Sequence, residues 1–375
     1  MFEGEKLDPQ NILDSVSEGL YVTGKDRKII YWNKAAEKIT GWTREDALGK
    51  GCFDDFLCHV DKDGRQLCGE EFCPLHRAMQ TGKGSTVPVM VFANSKSGKR
   101  VPMRVSVAPV YNQQGEVVGG VETFHDLTQE LRDIQTVKQI QDQILLNEAS
   151  DDPRLIVTTH YAPCEVIGGD YYSVSKLSKD RYAFILADIV GHGVPSALYT
   201  MYLNSLWQER RRLDANPLAL MQSMNKRLTR LIQGGGTFAA AICGFLDLKK
   251  GTLRMVSAGG PAPVIYRAAT ATYEKVSLQG MPLGCIEQAE FGDFSTEMNP
   301  GDHVVLFSDA LYEIADSRGK MLGVDRLLSI FQECGWPQAN VDFKEIEKHL
   351  LLFSNLIRFK DDFTLLDIGM VDRKS

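Results

Sequence analysis

No apolar run in the 375-residue chain reaches the ~18 residues that a membrane-spanning helix needs. The opening stretch MFEGEKLDPQ is polar and lacks the apolar core of a signal peptide. A cytoplasmic protein without membrane association is expected. No segment is strongly basic and the net charge is −7, which removes the electrostatic footprint of a nucleic-acid or anionic-lipid binder. The run Arg210-Arg211-Arg212 is expected to solvate a helix end. Internal repeats and low-complexity linkers are absent. Gly234-Gly235-Gly236 is followed by Thr237 and not by Lys-Ser/Thr. It therefore reads as a loop between a helix and a strand, and not as a phosphate cradle. Tight Cys-x-x-Cys knuckles are also missing among the eight cysteines, which in a reducing compartment are expected as free thiols.

What is present is an ordinary globular composition, 43% hydrophobic and 24% charged, in a length suited to about two or three domains. Three zones are expected: 11–125, 126–150 and 151–372. In the first, strands are expected at Gly19–Thr23, Ile29–Trp32, Ser85–Asn94, Arg100–Tyr111 and Val117–Asp126, with turns at Ser97-Gly98 and Gln114-Gly115. A helix follows Asn33, and another starts after Thr43, with Glu45 and Asp46 in its first turn.

This pattern, with the stretches WNKAAEKITGWTREDALGK and GEVVGGVETFHDLT, resembles a PAS sensory domain. The resemblance implies a five-stranded antiparallel sheet with helices over one face, holding a ligand or a partner. Cys52, Cys58, Cys68 and Cys73 fall close together inside it, with His59 and His76 nearby. Their spacing, C-x5-C-x9-C-x4-C, leaves four readings open: a metal ion such as zinc, an iron–sulfur centre, a redox switch, or small packing residues. Photosensory PAS domains carry a related Cys motif, but its flanking Asn and Arg are missing around Cys52.

Residues 126–150 read as one helix. Leu127, Leu131, Ile134, Val137, Ile140 and Ile144 recur every three or four positions. Asp126 is placed to cap its start. The helix is read either as a signalling helix pairing with its copy in a homodimer or as a linker lying on its own domains, with Lys138 and Gln141 interrupting the seam.

The third zone carries four acidic segments: Val166-Ile-Gly-Gly-Asp170, Ala187-Asp188-Ile189-Val-Gly-His192-Gly193, Phe307-Ser-Asp309-Ala310 and Lys360-Asp361-Asp362-Phe-Thr364. Three of them adjoin strongly apolar strands. Carboxylates converging at strand ends make a hard-oxygen site suited to Mg2+ or Mn2+. The order and spacing of all four resemble the PPM-type (protein phosphatase 2C-like) phosphatases, in their bacterial sporulation and sigma-factor-regulating branch. So do the stretches GTFAAAICGFLDLKKGTLRMVSAGGPAPVIY, GMPLG and NPGDHVVLFSDALYE.

The resemblance implies an αββα sandwich and two Mn2+ or Mg2+ ions that activate water for attack on phosphorus. As metal ligands it implies Asp170, Asp188 (bridging both ions), the backbone carbonyl of Ile189, Asp309 and Asp361. His192 has two readings, proton donor to the leaving alkoxide or turn stabiliser. With no nucleophilic cysteine required, Cys164, Cys243, Cys285 and Cys334 read as small packing residues. Two departures stand out. Val190 replaces the family's Ser, and Ala310 replaces its Gly, which in a left-handed backbone would cost about 1 kcal/mol.

The fold class expected is therefore α+β and multidomain: a PAS fold, a linker helix and an αββα sandwich. The expected activity is a signal-regulated protein serine/threonine phosphatase. Its implied substrate is a phosphorylated regulatory protein, an anti-sigma-factor antagonist. The alternative is a PAS-regulated module that only binds partner-switching proteins. Gly168-Gly169-Asp170 runs into Tyr171-Tyr172 and not Glu-Phe, which excludes a cyclic-dinucleotide synthase. A histidine kinase is disfavoured because His125 precedes the helix and no ATP-binding Gly box follows.

Overall fold

After a short helix, α1 (Pro9–Asp14), the chain enters β1 (Gly19–Gly24) and β2 (Ile29–Trp32). This is a computed structural model, and it describes residues 8–54, 56–62, 64–68, 72–85, 89–145, 152–191, 193–213, 216–232, 236–337, 341–356 and 358–371. It divides into two units, Met1–Asp133 and Ile134–Ser375. No described helix is long and apolar enough to cross a membrane.

In the first unit, α2 (Lys34–Thr40) is capped by the Asn33 side chain and ended by Gly41 at φ 76°. Thr43 and Asp46 close a reciprocal capping box on α3 (Arg44–Ala47). Next come α4 (Pro74–Thr81), β3 (Val89–Asn94), β4 (Arg100–Tyr111) and β5 (Val117–Asp126). The β3 strand opens four residues later than expected, and 86–88 lie outside the described residues. The antiparallel sheet runs β2-β1-β5-β4-β3. Burial alternates along it: Met103, Val105 and Val107 of β4 turn inward against Tyr21, Trp32, Phe56 and Phe124.

Helix α5 (Thr128–Ile144) starts where the Thr128 N–H donates to Asp126 Oδ1 at 2.8 Å. Its expected apolar stripe splits. Ile144 packs on the core of the second unit, whereas Ile140 is 48% exposed. The residue of this helix that is fully buried is Gln141, one of the two that break the seam.

The second unit comprises β6 (Leu155–Ala162), β7 (Asp170–Lys176), β8 (Arg181–Ile189), α6 (Val194–Arg210), α7 (Pro217–Ile232), β9 (Ala239–Asp247) and β10 (Thr252–Ala258). It continues through β11 (Val264–Arg267), β12 (Thr272–Lys275), β13 (Gly292–Glu297), β14 (His303–Phe307), α8 (Gly323–Glu333), α9 (Phe343–Ser354) and β15 (Phe363–Met370). Arg210 ends α6, but Arg211, expected in solvent, is buried and donates from Nε to Gln208 Oε1 at 3.0 Å.

Two five-stranded sheets form, β13-β10-β9-β8-β7 and β12-β11-β14-β15-β6. Period-two geometry stacks them. Val304, Leu306, Leu366 and Ile368 share a core with the strands of the other sheet and with α6 and α7. Their neighbours Val305, Phe307, Phe363 and Leu365 face a separate core built with α8 and α9. The layers are therefore helix, sheet, sheet, helix. Strands covered on both faces are apolar throughout, which is why Tyr182–Ala187 of β8 is buried without alternation.

Candidate active site

Four strand ends meet at one edge of the sandwich. Asp170 opens β7 and is paired in register with Asp188 near the end of β8. Asp309 begins a 3₁₀ turn (Asp309–Leu311) just past β14, and Asp361 precedes β15. The ends of β14 and β15, neighbours in one sheet, are stapled here. Ser308 N donates to the Thr364 carbonyl at 3.0 Å, Thr364 N to Ser308 Oγ at 2.9 Å, and Ser308 Oγ to the Asp362 carbonyl at 2.8 Å.

Asp362 organises the loop before β7. Its Oδ1 accepts from Cys164 N at 2.8 Å, and its Oδ2 from Gly169 N at 2.5 Å and Asp170 N at 3.4 Å. The glycines are required by close approach. A Cβ on Gly168 would overlap the Tyr161 hydroxyl and the Asp362 carboxylate, and one on Gly169 would lie 2.7 Å from the Ile189 carbonyl oxygen. By contrast, Gly191 and Gly193 turn the chain at φ 103° and 81°.

Asp170 is fully buried; Oδ2 accepts from Thr364 Oγ1, while Oδ1 has no hydrogen-bond partner. Burial, then the charges of Asp188 and Asp362, push its carboxyl well above the usual range. Burial, then Asp309, Asp361 and Asp362, raise Asp188 to about 7. Burial, then Asp361 and Glu313, raise Asp309. Like charges held together with a buried, unpartnered carboxylate oxygen are disfavoured unless a cation sits among them. All-oxygen donors fit a hard divalent ion, so the residues present fit the implied metals.

Residues that the sequence singled out divide clearly. Asp170, Asp188, Asp309 and Asp361 converge, and the carbonyl of Ile189 lies on the same loop cluster. His192 lies outside the described residues. The expected backbone cost at Ala310 does not arise: it sits inside the 3₁₀ turn and is not among the residues with positive φ. Of the cysteines read as packing, Cys243 is buried, but Cys285 is exposed. Cys334 is half-buried, with its Sγ 3.6 Å from His349 Nδ1. Cys164 belongs to the site. Its sulfur and the carboxylates of Asp361 and Asp362 lie within 4.8 Å of one another, and burial with the Asp362 charge raises its thiol to about 12.

Sequence reasoning missed three positioning residues: Asp362, Thr364 and Gln141. The first two stood in a quoted motif whose neighbour, Asp361, took the role. For Gln141 no local signal existed.

A helix–sheet–sheet–helix sandwich with an acidic, cation-ready edge defines a metal-dependent, phosphatase 2C-like class of domain. Residues 178–370 match the family "Stage II sporulation protein E (SpoIIE)", and 17–129 match a PAS domain. The chain belongs to the SpoIIE family, with a PAS domain ahead of the family domain. Among curated relatives, phosphoserine phosphatase RsbU of Bacillus subtilis is 23% identical over 302 residues, 80% of this chain and 86% of that protein. Phosphoserine phosphatase RsbP of the same organism is 25% identical over 185 residues, 48% of this chain and 45% of that protein. The chain thus spans less than half of RsbP. In fold, the SiaA-PP2C domain of Pseudomonas aeruginosa superposes with a TM-score of 0.55 at 18% identity, over 65% of this chain and 97% of that one.

Proposed function

We propose that this protein is a signal-regulated, metal-dependent protein phosphatase that hydrolyses phosphoserine or phosphothreonine on a regulatory protein. The observation that carries this reading is the convergence of the carboxylates of Asp170, Asp188, Asp309 and Asp361, with Oδ1 of the buried Asp170 unpartnered. Asp170, Asp188, the Ile189 carbonyl, Asp309 and Asp361 would hold two Mn2+ or Mg2+ ions. When bound, such ions supply an activated water and polarise the phosphoryl oxygens.

The chain's own residues do the positioning. Asp362 gathers three backbone N–H groups and so fixes the loop that presents Asp170. Thr364 orients the Asp170 carboxylate. His192 keeps two readings, protonation of the leaving alkoxide or stabilisation of the turn. Beside Asp361 lies a cleft of about 530 Å³ lined by Cys164, Glu165, Arg358, Phe359 and Lys360, among others. Arg358 and Lys360 supply the positive charge suited to a phosphorylated side chain.

The substrate class follows from the relatives, two phosphoserine phosphatases. The family resemblance narrows it to a phosphorylated anti-sigma-factor antagonist. The PAS domain is the input, and β5 runs directly into α5, whose Gln141 bonds the loop before Asp170. Eight free thiols suit a reducing, cytoplasmic location. The binding-only reading is disfavoured by a complete carboxylate set.

The test is hydrolysis of p-nitrophenyl phosphate and of a phosphoserine protein by the full chain, with Mn2+, with Mg2+ and with chelator. Asp188→Asn is expected to lower turnover by roughly 100-fold or more with the fold intact by circular dichroism. Metal-independent turnover, or none in either metal with substrate protein bound, overturns the reading.

A further inference from the structure

The core of the PAS unit holds ligating groups that the phosphatase reading does not use. On β5 the inward positions are Gly120, Glu122 and Phe124, so a carboxylate stands where an apolar side chain belongs. Glu122 is 1% exposed and His59 4%. His59 Nε2 and Glu122 Oε1 face each other at 3.7 Å, too far for a hydrogen bond, and neither atom has another partner. The Tyr21 hydroxyl is the side chain that hydrogen-bonds the Glu122 carboxyl.

The four cysteines sort three and one around this pair. Cys52 and Cys73 are buried in the aromatic core with Tyr21, Trp32 and Phe56. Cys68 Sγ accepts the backbone N–H of His59 at 3.0 Å. Glu122 acts electrostatically on all three of these thiols. Cys58 is half-buried; its sulfur lies 3.8 Å from Gln66 Nε2, and its charge raises the Cys68 thiol. A sequence pattern of four thiols thus becomes, in three dimensions, three thiols, an imidazole and a carboxylate.

Each unpaired polar atom in a dry core is costly, and one cation satisfies both. The 3.7 Å separation is one that a single ion bound at ~2.1 Å to each atom can span. Thiolate and imidazole donors select zinc-like ions over Mg2+. We propose that the PAS unit binds one zinc-class ion through His59 Nε2, Glu122 Oε1 and thiolates drawn from Cys52, Cys68 and Cys73. Among the described residues, three ligand atoms already gather within 4.8 Å only at Cys164, Asp361 and Asp362. Binding in the PAS unit therefore draws the thiols in toward β5. Glu122 lies four residues before Asp126, the cap of α5, so occupancy acts at the root of the helix that leads to the second unit.

The test is a Co2+ titration of the reduced full chain, with Co2+ standing in for zinc. One equivalent is expected to develop a thiolate-to-cobalt charge-transfer band. His59→Gln and Glu122→Gln should weaken Co2+ binding roughly ten-fold or more, and Cys68→Ser and Cys73→Ser should diminish the band. Cys58→Ser and Asp188→Asn should leave it unchanged. In the unmutated chain, Zn2+ should protect Cys52, Cys68 and Cys73 from alkylation while Cys58 and Cys285 stay reactive, a readout independent of whether any variant folds. The proposal is overturned by an absent thiolate band, by a band that disappears with Cys164→Ser, by alkylation indifferent to Zn2+, or by iron with acid-labile sulfide in anaerobically purified protein.

Discussion

Gln141 Nε2 donates to the Gly168 carbonyl at 2.8 Å, and Gly168 N returns a bond to Gln141 Oε1 at 3.3 Å. A side-chain amide from α5 thus pairs with the backbone two residues before Asp170, and it also donates to Thr200 Oγ1 at 3.3 Å. Gln141→Ala leaves these buried backbone groups unsatisfied, at about 1–3 kcal/mol. Part of that cost is expected to appear at the metal site, because the loop it loosens presents Asp170. The Mn2+ concentration for half-maximal activity should rise by roughly five- to a hundred-fold. An unchanged Mn2+ requirement would show that the bond serves only packing.

Asp362 is expected to matter to metal binding without being a ligand. Asp362→Asn keeps one acceptor oxygen but puts an N–H₂ against the N–H groups of Gly169 and Asp170 or of Cys164. Thermal stability should fall, with the unfolding free energy lower by about 1–3 kcal/mol, and Mn2+ affinity should fall with it. Asp361→Asn should instead lower activity with little change in melting temperature, since Asp361 is exposed. A calorimetric scan of both variants separates the two aspartates.

Ala310→Gly tests whether the family's usual glycine is needed. Ala310 lies in a 3₁₀ turn without positive φ, so glycine relieves no strain and adds chain entropy. A loss of roughly 0.5–1 kcal/mol is expected, read from urea midpoints. A gain would mean that the backbone there is strained.

Acid sensitivity should centre on Asp152. Its buried carboxylate accepts from Arg154 Nε at 2.9 Å, from Arg154 NH2 at 2.8 Å and from the Tyr182 hydroxyl. The Arg154 hydrogen bonds, first among its influences, hold it well below the usual 3.8. A carboxyl depressed in the folded state stabilises above its unfolded pKa, where both states are ionised. That contribution fades as pH falls below about 4 and the unfolded chain takes up the proton first. Melting temperature from pH 7 to pH 2 should therefore drop more steeply for the unmutated chain than for Asp152→Asn, whose own stability is lower at neutral pH.

Much of this molecule was legible along the chain. Strands β1, β2, β4 and β5 lie where alternation and turn residues placed them, because a half-buried sheet writes its period directly into the sequence. Asn33 and Thr43 cap the helices they precede, since capping is a contact across three residues. The four aspartates were visible because apolar strands deliver them to a common edge.

Other features arise only from contacts between distant residues. Gln141 looked like a fault in an apolar seam, and it is a buried partner of a backbone 27 positions away. Asp361 and Asp362 are chemically identical neighbours, and alternation along the chain at the start of β15 sends one outward and the other into the loop before β7. Four cysteines suggested one cluster, and folding brings Glu122 to three of them from a strand 49 residues beyond Cys73. Periodicity by itself placed strands and helices, and the order of the motifs carried the resemblance that classed each domain, because local geometry and hydrophobic pattern are properties of the chain. Which polar side chain is buried, and against what, was decided by tertiary packing, because desolvation and hydrogen-bond partnership belong to the place where distant segments meet.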